Sequence, residues 1–130
     1  MNLNKIGKLG EDIAVKFLKG KGFEVLNRNY LKKLGEIDIV AKKLGIYHFI
    51  EVKAVSREII DNKPVKGDFV EPEENMHRDK IRRLANAIEI FLESNKVSCE
   101  RFTFDLFVVY IDIKQKKVLV KVYEDFPLFI

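Results

Sequence analysis

Hydrophobic positions change period several times along this chain, and each change predicts an element. From residue 4 to 20, Ile6, Leu9, Ile13, Ala14, Phe17 and Leu18 recur at three- and four-residue spacing, the stripe of a helix that buries one face. Gly20 and Gly22 bracket its end, where glycine tolerates a left-handed cap. On the helical wheel Asp12 faces solvent, whereas Glu11 falls at the edge of the apolar stripe beside Leu18. Gly7 and Gly10 lie near Glu11 and would let the backbone approach a neighbour. Residues 23–29 predict a short strand and residues 30–34 a basic connection.

The period then drops to two. Residues 36–41 and 46–54 alternate on either side of Lys42-Lys43-Leu44-Gly45, which reads as a hairpin with a four-residue loop. That loop pairs Ala41 with Ile46 and sets Asp38 opposite Phe49, so Asp38 and Glu51 become diagonal neighbours, about 7–8 Å apart at Cα. Glu51 and Lys53 share a face, as do Glu36 and Asp38, while His48 falls on the face opposite Glu51. Tyr47 and Phe49 read as packing residues and His48 as packed or solvated. Two carboxylates and an ammonium in mid-strand, where apolar residues are the rule, form the anomaly of this sequence.

Residues 55–70 show no period and contain Pro64 and Gly67, so they read as a loop carrying Arg57, Lys63 and Lys66. Glu71-Pro72-Glu73-Glu74 resembles a helix start, with acids at the positive end of the dipole. Ile81, Leu84, Ala85, Ile88, Phe91 and Leu92 continue it as the strongest amphipathic pattern in the chain, ending near Ser94-Asn95. His77 and Lys80 precede that stripe by a turn and point at the rim of the sheet. Residues 102–113 form an apolar strand interrupted by Asp105, and residues 118–123 a last strand. An apolar tail from Phe126 to Ile130 would cover a sheet edge or join a second protomer. The order α-β-β-β-α-β-β predicts a single α/β domain over 1–130, a central mixed sheet flanked by helices.

Composition narrows the class. At 130 residues, with 47% hydrophobic and 34% charged residues, the chain is long enough to bury a core without staples. It lacks an apolar run of membrane-spanning length and a signal-peptide core behind its charged N-terminus, so no membrane partner and a cytoplasmic location are expected. One cysteine, Cys99, excludes an internal disulfide and a cysteine-rich zinc site. The net charge of +4 is unevenly spread: residues 1–35 hold eight Lys/Arg against three acids, and His77-Arg78-Asp79-Lys80-Ile81-Arg82-Arg83 forms a second basic knot. Each by itself is an ordinary solvated surface. Flanking an acidic centre, they could hold a phosphate backbone across it.

Asp38, then twelve residues, then Glu51-Val52-Lys53 matches the D…(D/E)xK signature of restriction-endonuclease-like nucleases. With Gly7-x-x-Gly10-Glu11, Ala14, Leu18, Asn29, Gly35-Glu36-Ile37-Asp38, Phe49-Ile50-Glu51-Val52-Lys53, Lys80, Ala85 and Arg101-Phe102-x-x-Asp105, the chain resembles the YraN family, predicted endonucleases distantly similar to archaeal Holliday-junction resolvases. It departs from that pattern at Val55, where the family has an arginine, with Arg57 the nearest substitute, and over residues 61–75, which lack the short glycine-proline link.

The resemblance implies a restriction-endonuclease-like fold and a Mg²⁺- or Mn²⁺-dependent endonuclease acting on nucleic acid, structured or branched DNA foremost, as a homodimer that cuts two strands. Asp38 and Glu51 would be direct ligands, the Val52 carbonyl a third, and Glu11 an outer or second-metal ligand. Lys53 would orient the attacking water or stabilise developing charge. Lys80, Arg28, Lys32, Lys33, Arg57 and Arg78 are the candidate nucleic-acid contacts, and Asp105 could pair with Arg101 or a cap. Two alternatives stay open: a cross-strand ion pair of Asp38 with Lys53, and a non-catalytic nucleic-acid-binding or adaptor protein that keeps the nuclease fold.

Overall fold

The structure, a computed structural model, describes residues 2–31, 36–67, 71–97 and 101–128. Helix α1 (Leu3–Gly20) precedes strands β1 (Glu24–Tyr30), β2 (Ile37–Lys43) and β3 (Ile46–Ser56), a small hairpin of β4 (Ile59–Ile60) and β5 (Lys63–Pro64), helix α2 (Arg78–Ser94), and strands β6 (Phe102–Asp112) and β7 (Lys117–Tyr123). The main sheet runs β1-β2-β3-β6-β7; β3 and β6 are parallel and the other neighbours antiparallel. The parallel step needs a crossover, and α2 supplies it.

The two helices cover opposite faces. Ile6, Ala14 and Leu18 of α1 pack on Ile39, Ile50, Phe107 and Val109. Leu84, Ile88 and Phe91 of α2 pack on Val40, Phe49 and Phe104. Phe126 and Leu128 of the tail join the α2 side, and the Phe126 amide donates to the Phe104 carbonyl at 2.6 Å. The tail therefore packs on its own protomer as far as Leu128; Phe129 and Ile130 lie outside the described residues.

Helix α1 ends as its glycines predict: Gly22 takes φ 87 and the Phe23 amide donates back to Leu18. Gly10 is the close approach, since a Cβ there would lie 2.4 Å from the Ala54 Cβ on β3. Gly7, one turn earlier, meets no such neighbour.

Three expectations change. The β2–β3 loop is two residues, not four: Leu44 and Gly45 both take positive φ, 51° and 79°, so Lys43 pairs with Ile46, Ala41 with His48 and Val40 with Phe49. Two consecutive left-handed residues make the turn whose twist matches a hairpin, and Lys42 and Lys43 are strand residues whose ammoniums lie over Tyr47 and Phe23. Second, residues 72–74 form a single 3₁₀ turn, and α2 starts only at Arg78. Third, residues 55–70 are not all loop, because β3 runs to Ser56 and the β4–β5 hairpin follows. Asp112 anchors that hairpin by accepting from the Ile59 amide at 2.9 Å, and this bond, with those from Gln115, holds its carboxyl below the usual range.

Candidate active site

The corrected register decides how the acids meet. The last β2–β3 partners are Ile39 and Ile50, so one step further along the strands sets Asp38 directly opposite Glu51 rather than diagonal to it. Here the strands part, and Asp38 Oδ2 accepts from the Val52 amide at 2.7 Å in place of a backbone carbonyl. The N–H and C=O of one strand residue leave on the same side, so the Val52 carbonyl points into the same opening.

Asp38, Glu51 and Val52 line a cleft of about 420 Å³ together with Gly7, Glu11, Glu36, Lys80, Arg83 and Leu84. Glu11 arrives from α1, seated by the Gly10 contact next to it; Glu36 immediately precedes β2 and Asp38 is its second residue. Carboxylate oxygens of Glu11, Glu36 and Asp38 lie within 4.8 Å of one another. Glu51, 4% exposed, completes the group and forms an ion pair with the Lys80 ammonium from the first turn of α2.

Crowding of acids shows in their protonation. Burial, then the adjoining Glu51 carboxyl, pushes Asp38 up to about 9. Burial also raises Glu11, against the pull of Arg28, whose guanidinium lies 3.6 Å from Glu11 and 2.8 Å from Asp12. Lys53 moves the other way: burial and then the nearby Lys80 ammonium lower it. Its Nζ donates to the Asn75 carbonyl at 3.2 Å. An Asp38–Lys53 ion pair is not among those of the described residues.

The donor set suits a hard divalent cation. Several carboxylates and a backbone carbonyl converge in a partly buried cleft, and Asp38 without a cation retains its proton well above the usual range. Asp38, Glu51 and the Val52 carbonyl could hold such an ion, with Glu11 and Glu36 beside them.

The remaining sequence candidates scatter. Arg78 is exposed at the start of α2. Arg57 is buried away from the cleft, 8% exposed, with its guanidinium on both Glu71 oxygens and over the Tyr110 ring. Lys32 and Lys33 lie outside the described residues, as does Cys99. Asp105 pairs not with Arg101 but with His48 Nδ1 at 2.7 Å, and accepts from Thr103 and the Asp125 amide. Glu36 and Arg83 are cleft residues not singled out from sequence. For Glu36 the signal was its shared face with Asp38; for Arg83 it was three-residue spacing from Lys80 on one helix.

Fold and cleft together define an α/β protein with a five-stranded mixed sheet, a helix on each face and a cluster of acids where β2 and β3 separate. Residues 10–109 match the uncharacterised protein family UPF0102, and the chain belongs to that family. A UPF0102 protein of Campylobacter jejuni is 41% identical over 109 residues, covering 84% of this chain and 87% of the relative. UPF0102 proteins of Dictyoglomus turgidum and Dictyoglomus thermophilum are 38% identical over 114 residues and 37% over 119, covering 88% and 92% of this chain and 89% and 92% of theirs. No helix among the described residues is long and apolar enough to cross a membrane.

Proposed function

We propose that the protein is a divalent-metal-dependent endonuclease with a restriction-endonuclease-like fold, hydrolysing phosphodiester bonds in nucleic acid, structured or branched DNA foremost, as a homodimer that cuts two strands. One observation carries this reading: Asp38 and Glu51 face each other where their strands part, beside the Val52 carbonyl and the Lys53 and Lys80 ammoniums. Structural acids are normally met by donors; Asp38 accepts one amide hydrogen and otherwise meets other carboxyl groups.

Asp38, Glu51 and the Val52 carbonyl would hold Mg²⁺ or Mn²⁺, with Glu11 and Glu36 as outer acids. Bound there, the ion would supply Lewis-acid relief of charge on the phosphate and make water nucleophilic near neutral pH. Lys53, on the same face as Glu51, would orient the attacking water and stabilise negative charge as it develops. Burial that lowers its affinity for a proton suits it to give one up. Lys80 and Arg83 line the cleft where a phosphate would enter. Arg28 stands at the Glu11 end and Lys80 and Arg83 come from α2, so cations reach the acids from two elements, while Arg78 is exposed at the start of α2. Of the remaining basic candidates, Arg57, committed to Glu71, would shape the protein rather than touch the substrate.

The ion pair of Lys80 with Glu51 favours a second reading, a binding protein in which the acids are structural. Nicking of supercoiled plasmid and of a four-way junction in Mg²⁺ separates the two. The wild type should cleave and Lys53→Ala should not; cleavage that survives the substitution, or none by either protein, sinks the enzyme reading. Calorimetric titration with Mn²⁺ tests the centre itself, with binding expected in the wild type and lost in Asp38→Ala.

A further inference from the structure

We infer that Lys80 is a resident counter-cation that holds Glu51 in the divalent ion's place and swings away when the ion enters. The inference rests on the metal centre proposed above. A carboxylate as enclosed as Glu51, whose side chain is 5% exposed, is costly without a positive partner. Two ammoniums are near enough to serve. Lys53 comes from the same strand and donates to the Asn75 carbonyl. Lys80 comes from the first turn of α2, and its side chain is 45% exposed although its amine reaches Glu51 Oε2. Its charge is thus delivered from solvent along a flexible stem, and withdrawing it exposes little that was buried.

The oxygen that Lys80 occupies belongs to the carboxylate that would bind the ion, so ammonium and ion compete. Displacement has a direction. Arg83, one turn further along α2, lines the same cleft and has no carboxylate partner among the described residues. Released from Glu51, Lys80 joins Arg83 at the cleft mouth, and the pair presents two cations to a phosphate. Ion entry therefore precedes phosphate capture, and Glu51 keeps a positive partner without metal.

Mn²⁺ titration of wild type, Lys80→Gln and Arg83→Gln tests this, because both substitutions remove one positive charge from the cleft but only one removes the competitor. Lys80→Gln should bind Mn²⁺ about tenfold more tightly, and Arg83→Gln should change affinity by about twofold or less. In the wild type, Mg²⁺ should shift the Lys80 side-chain ammonium resonance while leaving that of Lys121, far from the cleft on β7, in place. Equal gains in both variants, weaker binding by Lys80→Gln, or an unmoved Lys80 resonance at saturating Mg²⁺ would overturn the inference while leaving the centre standing. Absence of Mn²⁺ binding in all three proteins would remove the centre, and this role with it.

Discussion

Asp38 and Asp105 are both aspartates within the central sheet, yet their surroundings are opposite. Asp105, 2% exposed, accepts from Thr103 and the Asp125 amide and pairs with His48, so its oxygens are matched by donors. Asp38 accepts one amide hydrogen and otherwise faces carboxyl groups. Asp105 is buried and Asp38 partly buried, so burial alone does not mark a functional acid. What distinguishes them is whether the neighbours donate hydrogens or compete for them, since an acid among acids is stable only with a proton or a cation.

Exchanging the two residues' fates is the strongest test. Asp105→Ala leaves His48, Thr103 and a backbone amide without their acceptor and should lose about 3 kcal/mol of folding stability, with Mn²⁺ affinity unchanged. Asp38→Asn keeps an acceptor for Val52 and relieves the crowding. It should melt no lower than the wild type at pH 7 while failing to bind Mn²⁺. Urea unfolding and calorimetry on both proteins decide it, and equal destabilisation would erase the distinction.

Much of this contrast could be read from residue order, and the unread part has physical causes. Parity placed Glu51 and His48 on opposite faces, and helix spacing aimed Lys80 at the rim, because both depend only on local geometry. The β2–β3 register was misjudged because two adjacent lysines look like loop, whereas the turn is set by Leu44 adopting a left-handed conformation that leucine rarely takes. Shortening the loop moved Asp38 from diagonal to directly opposite Glu51. Arg57 looked like a substrate contact in an aperiodic segment; Glu71 and Tyr110, which enclose it, are brought there only by tertiary packing. The partners of Asp105 were hidden likewise, since β3 and β6 meet only through the crossover.

A smaller effect is expected where α1 meets the sheet. A Cβ at Gly10 would come within 2.4 Å of the Ala54 Cβ, so Gly10→Ala must push helix from strand and should cost about 2 kcal/mol. Because Glu11 follows directly, the same shift should weaken Mn²⁺ binding, linking packing on the Asp105 side of the sheet to the acid cluster. Gly7→Ala, in open space, should instead gain about 0.5–1 kcal/mol from helix propensity. Restoring room with Gly10→Ala/Ala54→Gly should recover both stability and affinity; failure to do so would mean the contact is not what seats Glu11.

Smaller per pH unit than the Gly10 effect is the pH response of the unmatched acid. Burial and the adjoining Glu51 carboxyl push Asp38 up from its ordinary value of 3.8 to about 9, so between these values the folded acid pair holds a proton that the unfolded chain has released. Unfolding then releases that proton, and stability falls as pH rises, by at most about 1.4 kcal/mol per pH unit. The stabilising share of the protonated group is fully present below the lower value and lost through the upper one. Denaturation midpoints between pH 5 and 8 should decline in wild type and flatten in Asp38→Asn. Saturating Mg²⁺ should flatten them too, by replacing the proton.

The weakest expected effect concerns Arg28, the exposed cation bridging Asp12 and Glu11. Exposed pairs are screened and entropically costly to hold, so Arg28→Ala should change stability by about 0.5 kcal/mol or less. Its informative readout is Glu11, whose carboxyl burial raises and Arg28 pulls back down. Removing the guanidinium should therefore raise the Glu11 carboxyl further, as side-chain NMR titration would register, and move Glu11 closer to the condition of Asp38. An unshifted Glu11 would mean that Arg28 serves Asp12 alone, and that the acids of the cleft have no countercharge from the α1 side until a cation binds.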